Sequence, residues 1–82
     1  MIVATYSVHD QEPVIKAHVP NPAKWLVRLY ATDGNERVTD TIRNKQPCML
    51  TDLLETAAMQ IDELIQEFPA YTDAGFQVIR LR

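Results

Sequence analysis

One cysteine and two glycines stand in a chain of 82 residues, and each shortage removes a class of protein. A lone Cys48 cannot build the disulfide framework that staples small secreted domains, so a reducing compartment, the cytoplasm, is the expected setting. Gly34 and Gly75 both fall in turn-like sequence. That leaves no glycine-rich loop to cradle a phosphate and no Gly-x-Ser-x-Gly elbow to present a nucleophile. His9, His18 and Cys48 are the only soft metal ligands, and their spacing matches no zinc signature. Asp62 with Glu63, and Glu63 with Glu67, are neighbours on a helix surface rather than a buried acid–base pair. No catalysis, cofactor or metal is expected. Apolar runs are only a few residues long, too short to span a membrane. Met1–Tyr6 has no basic region ahead of an apolar stretch, as a secretory signal would.

What is present is an apolar fraction of 46%, ordinary for a globular protein, in a length that suits one domain over residues 1–82. A domain this small buries only about 60–65% of its unfolded surface. One modest core is within reach, a deep cleft is not, and self-association would add stability.

Period-2 alternation marks the strands. Ile2, Ala4, Tyr6 and Val8 alternate with Val3, Thr5 and Ser7. Ile15, Ala17 and Val19 alternate with Val14, Lys16 and His18, and Trp25, Val27, Leu29 and Ala31 with Leu26, Arg28, Tyr30 and Thr32. From Glu36 to Arg43, Val38, Asp40 and Ile42 share one side and Arg37, Thr39, Thr41 and Arg43 the other. A last strand is expected over Gln77–Arg82, after a loop through residues 69–75. Asp33-Gly34-Asn35 signals a tight hairpin.

One helix stands out. Leu50, Leu53, Leu54, Ala57, Ala58, Ile61, Leu64, Ile65 and Phe68 fill an arc of about 140° at 100° per residue. Thr51 suits the N-cap, Asp52 and Glu55 the positive end of the dipole, and Pro69 stops the run. The expected fold is α+β: an antiparallel meander of four to five strands, covered on one face by a single amphipathic helix, in the order β-β-β-β-α-β.

The charges divide unevenly over this fold. The helix carries Asp52, Glu55, Asp62, Glu63 and Glu67 and no base, so with a net charge of -3 the rest of the chain holds +2. Opposite-charge i,i+4 pairs would stabilise a solvated helix by about 0.2–0.5 kcal/mol each, and this helix has none. Such a face either keeps the domain soluble or docks a basic protein partner, with Met59 as an apolar contact among the acids. Small acidic domains of this size are common among phage and mobile-element proteins that block host machinery, anti-CRISPR and anti-restriction proteins included. A non-catalytic interaction module of that regulator or inhibitor type is the first expectation, with a homodimer through a sheet edge as a further form of association.

The alternative lies on the sheet. With Trp25, Val27 and Leu29 turned to the helix, the other face shows Lys16, His18, Arg28, Tyr30, Arg37 and Arg43 among threonines. Bases interleaved with an aromatic are what a β-sheet nucleic-acid binder offers, unless the arginine stems only cover apolar neighbours. The stretch Trp25-Leu26-Val27-Arg28-Leu29-Tyr30-Ala31-Thr32-Asp33-Gly34, followed by a strand and a helix, resembles the arm-binding domain of phage-type integrases over about a third of the chain. That resemblance implies a three-stranded sheet that enters DNA. The sequence departs from that pattern in its acidic helix and in lacking the lysines usual after the turn.

Overall fold

The computed structural model describes residues 1–81. Its elements are β1 (Ile2–Ser7), β2 (Val14–Ile15), β3 (Trp25–Thr32), β4 (Arg37–Arg43), α1 (Leu50–Glu67) and β5 (Asp73–Arg80). The strands form one antiparallel five-stranded sheet, and α1 packs on one face of it. This is the expected α+β architecture in the expected chain order.

The order across the sheet is β2-β1-β5-β3-β4, so the first four strands do not run as a continuous meander. β1 pairs with β2 and β3 with β4, and β5 bridges the two hairpins. Burial explains the arrangement. Ala74, Phe76 and Val78 of β5 are almost wholly buried and need neighbours on both sides, whereas every residue of β4 is exposed and suits an edge.

Three boundaries move from where the periodicity puts them. β5 begins at Asp73, inside the expected loop, because Ala74 and Phe76 continue the buried alternation of Val78. Arg82, the expected end of that strand, lies outside the described residues. β2 shrinks to Val14–Ile15: the amides of Lys16 and Ala17 both donate to the Val3 carbonyl, which ends the ladder. The helix starts at Leu50 with Met49 as N-cap and no side-chain cap, two residues ahead of the expected cap at Thr51. The lead-in fixes that start. Cys48 pairs with Ala23 through two backbone hydrogen bonds of 3.0 Å, and its carbonyl accepts the Trp25 indole N–H at 2.9 Å.

Asn44 ties the same region together. Its Oδ1 accepts the Trp25 amide at 2.7 Å, while its Nδ2 donates to the carbonyls of Ala23 at 3.2 Å and Gln46 at 2.6 Å. Around this knot the core assembles from Trp25, Val27, Phe76, Val78 and Val3 on the sheet and Leu50, Leu54, Ala57 and Ile61 on α1. These helix residues are the centre of the apolar stripe, so the period of the sequence sets which face is buried.

The two glycines do different work. Gly34 sits at φ 97° in the β3–β4 hairpin, where the Asp33 carboxylate accepts the amides of Asn35 and Glu36. Gly75 is not in a turn. It lies within β5, opposite Tyr30, and a Cβ there would run into the Tyr6 carbonyl and come within 3.0 Å of the Tyr30 hydroxyl. Replacing Gly34 with Ala meets open space and only the backbone penalty, about 1 kcal/mol. Replacing Gly75 with Ala forces β1 and β5 apart and is expected to destabilise by about 2–3 kcal/mol or more. Urea unfolding of the two variants should show that order, and equal midpoints would contradict it.

Candidate functional site

A single helix cannot cover five strands. The outer strands of such a sheet stand about 19 Å apart, at roughly 4.8 Å per spacing, and a helix is about 10 Å across. α1 approaches the backbone of β5, the middle strand, most closely. The helix-facing side chains of both outer strands are therefore left beside the helix rather than under it, and a groove runs along each flank.

On the β2 flank the groove is lined by Ile15 and Pro13 from the sheet edge and by Leu54, Ala58 and Met59 from α1. Ile15 is 54% exposed and Met59 58%. Three carboxylates, Glu12, Glu55 and Asp62, share this lining, and no lysine or arginine does. The expected acidic face is thus divided. Glu55, Met59 and Asp62 come together here, while on the helical wheel Asp52, Glu63 and Glu67 turn to the back of α1 and toward β4. Glu12 and Ile15 join the group although the period of the helix could not reveal them. Their partnership depends on how the β1–β2 hairpin folds against α1.

Asp62 is not a free acid. It accepts the Tyr6 hydroxyl at 3.3 Å and so links α1 to β1. Burial raises the Tyr6 pKa above its ordinary 10.0, and the neighbouring Asp62 carboxylate adds to the rise by its charge and by that hydrogen bond.

The opposite face of the sheet carries the arginines. Register places Arg28 on β3 and Arg37 and Arg43 on β4 on this face, away from the helix, with Thr39 and Thr41 between them. Arg43 is the diagonal neighbour of Arg28, and Arg37 lies opposite Thr32, about 13 Å further along β3. Among the described residues the one contact within 4.0 Å between a basic side chain and a carboxylate is His9 Nε2 with Asp73 Oδ1 at 3.4 Å, so these arginines are not folded onto the helix acids. Lys16 follows β2 at the far edge of the sheet and is separated from the arginines by the intervening strands. Tyr30 is occupied. Its hydroxyl lies against Gly75, and the Arg37 guanidinium covers its ring at 4.5 Å from the centroid. Burial raises the Tyr30 pKa, the Asp73 charge adds to this, and Arg37 opposes it. The expected stacking aromatic thus has one side of its ring covered by Arg37 and is half-buried. His18 is exposed beyond β2.

Among the described residues no group of three or more His, Cys, Asp or Glu could hold a metal ion. Among the same residues no helix is long and apolar enough to cross a membrane. Cys48 is half-buried directly ahead of the N-cap residue. Comparison with protein-family models, curated proteins and solved structures finds no match to this chain.

The raised tyrosines give the fold an alkaline limit. A phenol whose pKa is higher folded than unfolded contributes stability that is complete below pH 10.0 and is lost as pH rises through the folded value. Asp62→Asn should bring the Tyr6 titration down toward 10.0 and leave that of Tyr30 in place. Ring resonances followed by NMR through the alkaline range check this, and an unmoved Tyr6 would show that Asp62 does not act on it.

Proposed function

We propose that this chain is a non-catalytic protein-interaction module, a small regulator or inhibitor working in a reducing compartment, that seats a basic segment of its partner between α1 and β2. The observation that carries this reading is the composition of that groove: two exposed apolar side chains, Ile15 and Met59, set among Glu12, Glu55 and Asp62 without a base. An apolar contact fenced by charge of one sign favours a ligand with an apolar anchor and flanking lysines or arginines. Complementary charge speeds its encounter and excludes acidic competitors. No charge needs to be buried for this, because the carboxylates are exposed.

Pull-down from the source cell followed by mass spectrometry identifies the partner, and charge reversal tests the site. The double variant Glu12→Lys, Glu55→Lys should weaken capture at least tenfold, about 1.4 kcal/mol, without loss of fold. Glu63→Lys with Glu67→Lys, on the other side of the helix, should leave capture within about threefold. Capture that survives the first pair and fails with the second would place the partner elsewhere.

A second reading rests on Arg28, Arg37 and Arg43. All three are exposed on the open sheet face, and none takes part in an ion pair among the described residues. Such a face suits contacts to nucleic-acid phosphates. Generic single- and double-stranded DNA should then bind at low salt, with log K falling against log salt by about 0.7–0.9 per contact. Absence of binding at low salt removes this reading and leaves the groove.

A further inference from the structure

The β4 flank of α1 is a different surface. Its floor is Leu29, Val38 and Ile42 from the sheet and Ile61 and Leu64 from the helix, with the Asp40 side chain between Val38 and Ile42. Val38 is 48% exposed and Ile42 40%, although both point to the side of the sheet that holds the core. We propose that this groove is the seat for a second helix, supplied by a partner protein as an amphipathic segment with basic flanks.

Three observations select that occupant. The first is spacing. α1 lies over β5, and β4 is two strand positions away, about 9.6 Å. Packed helices sit 8–10 Å apart, so a helix laid beside α1 stands directly over β4. The seven residues of β4 give it a floor about 23 Å long, enough for a helix of about fifteen residues.

The second is that an added strand is disfavoured. The Thr41 amide already donates to Asp40 Oδ1 at 2.8 Å, so it is not free to pair with an incoming chain. Arg37 and Arg43 stand near the two ends of the same edge, and Asp40 is an inward-pointing charge of the kind that guards edge strands. Lateral extension of the sheet through β4 is resisted, while the surface above it stays open.

The third is charge. Among the described residues Asp40 is the one charged residue in the groove lining, Gln60 lines it from α1, and Glu67 lies on the same side of the helix as Gln60. α1 has no base to offer an acidic neighbour. A second copy joined groove to groove would set its own helix, with five acids, against these groups, and that arrangement is repelled. A segment with lysine or arginine flanking its apolar stripe pairs with Asp40 and Glu67 while its leucines cover Val38, Ile42 and Leu64.

The test uses a synthetic sixteen-residue peptide, about 24 Å as a helix, with leucine at i, i+3, i+4 and i+7 spacing and lysine on both flanks. It is titrated into the full chain, and into the Glu12→Lys, Glu55→Lys variant so that the β2 groove no longer attracts it. Saturable NMR shifts at the methyls of Val38, Ile42 and Leu64 in both proteins are expected. Val38→Ser with Ile42→Ser, both on an exposed strand, should weaken binding at least tenfold, and a peptide with glutamate in place of lysine should not bind. Shifts confined to Ile15 and Met59, or no saturable shift, would overturn the proposal without touching the β2 reading. So would a concentration-dependent dimer that the Val38→Ser, Ile42→Ser pair abolishes, since the occupant would then be a second copy.

Discussion

Everything in this fold hangs on β5, the last strand in the chain and the middle strand of the sheet. β1 and β3 never pair with each other; each pairs with β5. Without β5 the chain holds two separate hairpins and a helix with nothing beneath it, and a two-stranded hairpin alone is marginal in water. The pairing of Ala4 with Val78 spans nearly the whole sequence, so most of the loop entropy must be spent before the core forms. Gly75 is the point of tightest fit. It lets the Tyr6 carbonyl and the Tyr30 hydroxyl approach the same stretch of β5, and a side chain in its place would push the strands apart.

The parts of the structure legible in the sequence are those governed by local period. Leu50, Leu54, Ala57 and Ile61 announce the helix and its buried face, because a 3.6-residue repeat belongs to one segment and needs no partner to be seen. Trp25, Val27 and Ala31 likewise mark the inner side of β3, and Asp33-Gly34-Asn35 marks its hairpin. What depends on a distant partner stays hidden. Gly75, set among Thr72, Asp73 and Ala74, looks like loop until Tyr30 is placed across it. Val14–Val19 alternates well enough for a long strand, yet a bifurcated contact with the Val3 carbonyl ends it after two residues. Asn44 gives no signal at all, being one polar residue before a proline-broken loop, although it fastens Trp25 to the approach to α1.

The candidate surfaces show the same division. The helix acids and the sheet arginines can be listed from the sequence, and strand register puts Arg28, Arg37 and Arg43 on one face as alternation requires. Which acids share a groove with the sheet edge cannot be read from the helix period alone, because the answer depends on where the sheet ends. A sheet of five strands under one helix leaves two flanks, and these sort Glu55 and Asp62 from Glu63 and Glu67. The sheet edge then supplies what the helix lacks: Glu12 and Ile15 on one side, Val38, Asp40 and Ile42 on the other.

The separation of charge follows from the same geometry. Had the arginines been placed on the helix-facing side of β4, they would lie within reach of Glu63 and Glu67 and neutralise them. Instead that side holds Val38, Asp40 and Ile42, and the arginines face away across the thickness of the sheet. The helix-side grooves thus combine exposed apolar side chains with carboxylates and, among the described residues, hold no lysine or arginine. On the opposite face Arg37 covers the Tyr30 ring, and Arg28 and Arg43 are exposed. A five-strand sheet beneath one helix thus has bare apolar margins by construction, and the signs of the charges beside those margins decide what can be laid on them.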